Sequence, residues 1–166
     1  MDLHRYLNSL ESPHEYLMYV DSDDVLFRDD PWQAVEILNN EGCKILFSGV
    51  PYLGAYSLMP EAKMAVDAEA QSRGVKPLYI NAGVFVAETA FLQKILKEGL
   101  QYIDENDISA ATYKDWYRKN TLCEQLSKHP KGFPHGTGCD QEIMRYLQSK
   151  HPKEMKVDFF NRLATR

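Results

Sequence analysis

The sequence predicts an α/β fold in which a mixed, mostly parallel sheet is flanked by helices. Short, continuous apolar runs, such as Tyr16–Val20 and Lys44–Phe47, are typical of strands that are covered on both faces. Segments with helical spacing of apolar residues alternate with these runs, and that alternation is the pattern of an α/β sheet. The chain has 166 residues, of which 44% are apolar and 26% charged, so we expect one globular domain over residues 1–166.

The strands are predicted wherever a short apolar run lies between polar or turn-forming residues, at 16–20, 44–47, 78–80, 84–86 and 155–160. Asn81-Ala82-Gly83 interrupts the third of these runs, and the apolar pattern resumes after it. The first strand, the helix that follows it and the second strand match a parallel crossover unit.

Apolar residues recur at helical spacing in six segments, which predicts helices at 2–10, 31–41, 61–72, 89–96, 107–128 and 139–149. Asp30 is a good N-cap residue and Pro31 suits the first helical position, while Gly42 is placed to end this helix. Trp32 is predicted to lie on the apolar side of the same helix. Thr89 is predicted to cap the fourth helix.

Composition and charge argue against several classes of protein. The chain carries 24 acidic and 19 basic side chains, and a formal charge of −5 does not suit a general nucleic-acid binder. No apolar run approaches the length of a membrane span. The amino-terminal residues lack a signal-peptide pattern, so we expect a cytoplasmic protein if the chain is complete. Cys43, Cys123 and Cys139 fit a reduced compartment and have no zinc-site spacing.

The strongest candidate for chemistry is an acidic turn, Asp21-Ser22-Asp23-Asp24, which follows the first buried strand directly. Ligand sites of open α/β sheets lie at the carboxyl ends of strands. Carboxylates this close together repel one another unless they share a cation, and Mg²⁺ and Mn²⁺ prefer such oxygen ligands. Because side chains alternate along an extended chain, Asp21 and Asp23 are expected to face the same side. A solvated acidic turn with a capping role is equally compatible with the pattern.

A second candidate is Asn81-Ala82-Gly83, which lies inside an apolar segment. Gly83 permits a positive φ or a close backbone approach to a ligand, and Asn81 offers both a donor and an acceptor. The alternative is a β-bulge or turn without a ligand. In the loop before this segment, Tyr52 and Tyr56 are candidates for an aromatic platform for a sugar or base, although loop aromatics commonly just pack.

The third candidate is Gly138-Cys139-Asp140-Gln141, which is predicted to begin a helix after a loop rich in Gly and His. A helix amino terminus favours an anion, so Asp140 would occupy that site itself or help to seat a polar substrate. Thr137 and Asp140 also have the spacing of a capping box, so a structural role is open too. His135, in the same loop, is a weaker candidate for contact with substrate or metal.

Five segments occur in a distinctive order: YLMYVDSDDVLF, KILFSGVPY, PLYINAGVFVAETAFLQKIL, GCDQEIMRYL and MKVDFF. This order resembles the GT-A type of nucleotide-sugar glycosyltransferase. More narrowly, it is similar to the glycosyltransferase domain of procollagen lysyl hydroxylases and related collagen glycosyltransferases. That family has a strand ending in an acidic turn, a strand ending in F-S-A or F-S-G, an N-S-G or N-T-G segment, a D-D-Q helix start and a strand containing Asp.

The resemblance implies a partial GT-A fold and a metal-dependent reaction. A hexosyl group would pass from a UDP-sugar donor to a hydroxyl acceptor on a protein or glycan. Asp21, with Asp23 or Asp24, would hold Mn²⁺, or Mg²⁺, against the diphosphate of the donor. The ion would counter the negative charge that builds on the leaving UDP.

The resemblance also implies roles for the other two candidates. Asn81 and Gly83 would line the donor-sugar pocket. Asp140 and Gln141 would be the catalytic pair and would contact the donor sugar or the acceptor hydroxyl. Asp140 is the residue best placed to act as a base or to stabilise positive charge at the anomeric carbon.

The chain departs from the family's pattern in four respects. The family has an acidic residue and a Cys-Trp-Pro stretch after the F-S strand, where this chain has Val50-Pro51-Tyr52 and Met59-Pro60. Cys139 stands where the family has the first Asp of D-D-Q, and only one helix precedes Tyr16 where the family has a nucleotide-binding half. The family's late metal-binding His has no counterpart. The alternative interpretation is therefore a catalytically inactive GT-A-like fragment or binding module. A third is another metal-dependent α/β enzyme, a phosphotransferase or hydrolase, although the chain shows no convincing phosphatase set and lacks the G-x-S-x-G and P-loop motifs.

Overall fold

The computed structural model describes residues 3–10, 14–21, 30–53, 56, 59–105 and 140–164, which form an α/β structure. A four-stranded mixed sheet is covered by helices on both faces. The described elements, in chain order, are α1 (Leu3–Ser9), β1 (Tyr16–Val20), α2 (Trp32–Asn40), β2 (Ile45–Val50), α3 (Pro60–Ser72), β3 (Tyr79–Glu88), α4 (Thr89–Glu105), α5 (Asp140–Lys150) and β4 (Met155–Val157).

The direction of the strands corrects the prediction of a mostly parallel sheet. The strand order is β1-β3-β2-β4, and β3 runs antiparallel to both of its neighbours, whereas β2 and β4 are parallel. Strands β1 and β2 do point the same way, as a crossover unit requires, but β3 lies between them. The prediction was wrong because a continuous apolar run indicates burial on both faces and carries no information about direction.

Alternation along β2 divides the core between the two faces of the sheet. Ile45 and Phe47 belong to the larger cluster, whereas Leu46 belongs to the smaller one. Buried side chains of α1, α3, α4 and α5 complete the larger cluster, and α2 covers the smaller cluster together with Cys43. Burial raises the pKa of the Cys43 thiol to about 12, so this cysteine stays protonated at neutral pH and serves as a packing residue.

Helices α2 and α4 begin close to their predicted positions, but only some of the predicted residue roles at these ends are present. Helix α2 begins at Trp32, and an oxygen of the Asp30 carboxylate accepts the backbone N–H of Trp32 at 3.0 Å. Gly42 follows the end of α2 with a φ of 59°, as expected of a terminating glycine. Trp32 itself is 61% exposed and contacts the edge of Tyr16, so its predicted place on the apolar side is wrong.

Thr89 opens α4, but it does not cap the helix with its side chain. Its hydroxyl is buried and has no hydrogen-bond partner within the described part of the chain. The backbone N–H of Thr89 donates instead to the carbonyl of Glu15 at 2.9 Å. Strand β3 therefore passes into α4 without a break, and the main chain before β1 satisfies the first amide of the helix.

The predicted strand at 155–160 ends early. Strand β4 stops at Val157 because the buried carboxylate of Asp158 accepts the backbone N–H groups of Phe160, Arg162 and Leu163 and draws the chain into a turn. The two predicted runs at 78–80 and 84–86 join as the continuous strand β3.

Several predictions lie outside the described residues. They are the helix at 107–128, the loop with His135 and Thr137, and the cysteines Cys123 and Cys139. Within the described ranges, no helix combines the length and the apolar character that a membrane crossing requires.

Candidate functional site

The candidate site begins where β1 ends, at Asp21. The pairing of β1 with β3 stops at Val20 and Val84, and one more hydrogen bond extends it, from the backbone N–H of Asp21 to the carbonyl of Gly83 at 2.8 Å. This bond fixes the main chain of Asp21 against β3. The residue is exposed, so its carboxylate lies at the carboxyl end of a strand and faces solvent.

The Asp21 carboxylate lies directly over Gly83. A methyl group built on the Gly83 Cα would overlap with Asp21 Oδ2 and would lie 3.3 Å from Asn81 Oδ1. Gly83 does not have a positive φ, and the group that approaches it closely is the Asp21 side chain, so its close approach to a ligand stays a prediction. The second carboxylate oxygen, Asp21 Oδ1, is 3.4 Å from the Tyr19 hydroxyl, and Asp21 has no ion pair among the described residues.

Asn81, Ala82 and Gly83 form a bulge in β3, as the alternative interpretation of this segment proposed. Phe47 of β2 pairs with Phe85, but the next residue, Ser48, pairs with Asn81, so the ladder skips residues 82–84. Asn81 Oδ1 accepts the backbone N–H of Gly83 at 3.1 Å and holds the bulge together. Gly83 lies beneath Asp21 because the regular register of β1 and β3 continues to this pair, one step beyond Val20 and Val84. The bulge affects the other edge of β3, where it pairs with β2.

Helix α5 brings the third predicted segment to the same bulge. It begins at Asp140, one residue after the predicted start, and Gln141 Oε1 accepts the backbone N–H of Ala82 at 3.4 Å. The structure thus brings Asp21 and Gln141 into contact with the same short stretch of β3, residues 81–83, which includes Asn81 and Gly83. Asp140 contributes the first turn of the helix there, while its side chain lies outside the described residues.

Arg145, which sequence reasoning missed, fastens α5 to β3. It is fully buried, and its Nε and Nη2 donate to the Ile80 carbonyl at 3.2 and 2.9 Å, while Nη2 also donates to the Tyr52 carbonyl at 3.3 Å. The guanidinium lies 5.7 and 5.6 Å from the ring centroids of Tyr52 and Tyr56. Gln141 and Arg145 are four residues apart, so they lie on one face of α5 and contact alternate residues of β3.

Tyr52 and Tyr56 were considered either as a platform for a ligand or as packing residues, and their contacts bear on this choice. Tyr56 is fully buried and its hydroxyl donates to Gln148 Oε1, so it packs in the core and is closed to a ligand. Tyr52 is about half exposed, but its carbonyl and ring contact Arg145.

The predicted cation site falls only partly within the described residues. Among them, no group of three or more His, Cys, Asp or Glu side chains is arranged to hold a metal ion. Asp23 and Asp24 lie outside the described residues, as does His135. Asp21 itself suits a hard cation, because its carboxylate is exposed, unpaired by Lys or Arg in the described chain, and held over a glycine that leaves room beside it.

Comparison with models of protein families, with curated proteins and with solved structures finds no match to this chain. The function of this chain therefore has to be inferred from its residues and their geometry.

Proposed function

We propose that this chain is a GT-A-like domain that transfers a hexosyl group from a UDP-sugar to a hydroxyl acceptor with the help of Mn²⁺ or Mg²⁺. The observation that supports the proposal most is the meeting of three separate segments at one bulge of β3. Asp21, Asn81 with Gly83, and Gln141 are distant in sequence, and each was a candidate on its own pattern. Their convergence at a strand's carboxyl end is what a ligand site in an α/β sheet requires.

In this proposal, Asp21 is the anchor for the cation, together with Asp23 or Asp24. A bound Mn²⁺ would supply Lewis-acid chemistry by neutralising charge on the leaving diphosphate. Asp21 suits that role because its backbone is fixed by Gly83 while its carboxylate remains exposed. Exposure leaves the carboxylate open to a ligand.

The residues of the bulge and of α5 would bind and orient the donor. Asn81 uses its Oδ1 to hold Gly83, which leaves the amide nitrogen of the same side chain for a sugar hydroxyl. Gln141 uses Oε1 toward Ala82, so its amide group lies beside the same bulge. Asp140, at the first position of α5, is the proposed base or charge-stabilising group. An active base near an acceptor hydroxyl would remove its proton as the new bond forms.

The proposal is tested by titrating the chain with UDP in a calorimeter, with and without MnCl₂. We expect heat of binding only when Mn²⁺ is present, and release of UDP from UDP-glucose or UDP-galactose under the same conditions. Asp21→Asn keeps the shape of the side chain but removes its charge. This variant should weaken metal-dependent UDP binding by about tenfold or more, because even residues that only support a metal ligand commonly matter that much.

Glu36→Gln is the matched control, since Glu36 is an exposed carboxylate on α2 outside the site. It should bind UDP as the wild type does. Equal UDP binding with and without Mn²⁺, or an Asp21→Asn variant that binds as well as Glu36→Gln, would contradict the proposal.

A further inference from the structure

A small cavity lies beside Asn81, near the carboxyl ends of β2 and β4. It has a volume of about 150 Å³ and is lined by Ser48, Gly49, Pro51, Leu78, Asn81, Asn161 and Ala164. Cavities of about this volume accommodate one six-membered ring, and whole small-molecule sites are several-fold larger. The cavity is therefore sized for one ring of a larger ligand.

The lining of this cavity is polar but uncharged. Two carboxamides, from Asn81 and Asn161, and the Ser48 hydroxyl supply donors and acceptors, while Pro51 and Leu78 supply apolar surface. None of the described residues that line it is Lys, Arg, His, Asp or Glu. Such a lining suits a neutral ring that carries hydroxyl groups, and it offers no counter-charge to a phosphate or carboxylate.

The backbone at Asn161 is held in an unusual conformation at this cavity. Its φ is 54°, and it is the one residue other than glycine with a positive φ in the described chain. The buried Asp158 carboxylate holds the turn by accepting hydrogen bonds from the backbone on both sides of Asn161, at Phe160 and Arg162. Residues kept in such conformations cluster at ligand sites, where the surrounding structure enforces them.

We propose that this cavity is a subsite for a neutral, hydroxyl-bearing ring, with Asn161, Asn81 and Ser48 as its hydrogen-bonding residues. Asn81 of β3 lines this cavity, and β3 is also the strand that pairs with β1 and holds Gly83 beneath the Asp21 carboxylate. A ligand that reaches both would have its charged part at Asp21 and its neutral ring in the cavity. Assigning the ring to the donor or the acceptor of a hexosyl transfer rests on the proposed function, whereas the subsite itself rests on its lining.

The test follows the amide resonances of Asn161 and Ala164 in the full chain by NMR during titration with D-glucose or D-galactose. We expect saturable shifts of these resonances, and none with D-glucuronate, which keeps the pyranose ring but carries a carboxylate. Titrations with UDP and with UDP-glucose, each with Mn²⁺, distinguish a ring of the donor from a ring of the acceptor. Shifts that appear with UDP-glucose but not with UDP assign the ring to the donor, and shifts with the free hexose alone assign it to the acceptor.

Asn161→Gly removes the carboxamide and tolerates the positive φ, so the turn should persist. We expect hexose binding to weaken by about fivefold to tenfold, as for loss of one hydrogen-bonding side chain. Ala164→Leu, which fills the cavity, should abolish the shifts. Asn40→Ala, at an exposed asparagine on α2, is the control and should bind as the wild type does.

The outcomes separate this inference from the proposed function. Hexose shifts at Asn161 without any Mn²⁺-dependent UDP binding would support the subsite and contradict the glycosyltransferase proposal. Mn²⁺-dependent UDP binding with no shift at Asn161 from any hexose or UDP-sugar would overturn the subsite alone. Equal hexose binding by Asn161→Gly, Ala164→Leu and Asn40→Ala would overturn it as well.

Discussion

Gly83 and Asp21 depend on each other at the scale of single residues. The Gly83 carbonyl accepts the Asp21 N–H, and the absence of a side chain on Gly83 makes room for the Asp21 carboxylate. The atom that a new methyl group would meet is the end of an exposed side chain, which can rotate away at little cost. A side chain at position 83 should therefore damage the site more than the fold.

We predict that Gly83→Ala lowers metal-dependent UDP affinity about tenfold or more and lowers the free energy of unfolding by less than about 1 kcal/mol, below the usual cost of overpacking a rigid core. Calorimetry and urea denaturation measure the two effects. A double-mutant cycle with Asp21→Ala provides the control, because the effect of the methyl group on stability should vanish when the carboxylate is absent. A stability loss that persists in the Asp21→Ala background would show that the clash is with something else.

Arg145 is a positioning residue whose removal leaves buried carbonyls without donors. The Ile80 and Tyr52 carbonyls both accept from its guanidinium. Arg145→Met keeps much of the length and apolar contact of the side chain but provides no donor. We predict a loss of about 2–4 kcal/mol in the free energy of unfolding, measured by urea denaturation, since buried unsatisfied groups cost about 1–3 kcal/mol each.

The same variant should also reveal the link from Arg145 to Gln141. Because Gln141 lies one helical turn before Arg145, UDP affinity of the folded Arg145→Met protein should fall as well. Arg145→Lys retains a donor group, so its free energy of unfolding should lie between those of the wild type and Arg145→Met. If Arg145→Met unfolds at the same urea concentration as wild type, then the guanidinium is not what fastens α5 to β3.

Most residues of the candidate site could be found in the sequence because they stand out from the apolar runs of the strands or mark the start of a helix. Asp21, Asn81 and Gly83 interrupt apolar runs, and Gln141 follows a helix-start pattern, so each could be found by position alone. Arg145 has no such mark, because a charged residue on a helix usually faces solvent. Its burial depends on two tyrosine rings and two carbonyls from other parts of the chain, which only the fold brings together.

At the scale of elements, the apolar runs located all four described strands but not their directions. Burial of a strand on both faces produces the same apolar run whichever way the strand points. The alternation of strands and helices predicted a mostly parallel sheet, yet β3 returns antiparallel and passes directly into α4. The bulge of β3 then carries the candidate site, so the element that was least well predicted contributes most to it.

The position of α5 depends on a close contact with α4 at Gly99. A Cβ atom at this position would lie 3.2 Å from Ile143 Cγ2 and 3.3 Å from Leu147 Cδ1. Gly99→Val should therefore force the helices apart and lower the free energy of unfolding by about 1–3 kcal/mol. Leu100→Val, at the exposed neighbouring position, is the control and should cost a few tenths of a kcal/mol. If urea denaturation shows that Gly99→Val and Leu100→Val lose the same free energy of unfolding, a close contact between α4 and α5 at Gly99 is contradicted.

At the scale of the whole molecule, a network of charges joins three distant parts of the chain. Glu41, just after α2, accepts hydrogen bonds from Arg73 at 2.7 Å and from Arg162 at 2.5 Å. Arg73 also pairs with Glu69 of α3, and Arg162 also pairs with Asp158 after β4. The network therefore ties α2, α3 and the final turn together, and that turn shapes the cavity at Asn161.

The pH dependence of stability should report on this network through Glu41. Burial raises the pKa of the Glu41 carboxyl, but hydrogen bonds from Arg162 and Arg73 outweigh burial and hold the pKa below its usual value of 4.5. Because the folded pKa is the lower one, the unfolded chain binds more protons, so the contribution of Glu41 is complete above pH 4.5 and is lost as pH falls further. Glu41→Gln should therefore lower the free energy of unfolding by about 1.5–3 kcal/mol at pH 7, a typical value for hydrogen bonds to a charged group, and by progressively less below pH 4.5. Urea denaturation at several pH values measures the difference, with the exposed Glu36→Gln variant as control. If the difference in free energy of unfolding between the wild type and Glu41→Gln stays constant from pH 7 to pH 3, the charge of Glu41 does not hold these three segments together.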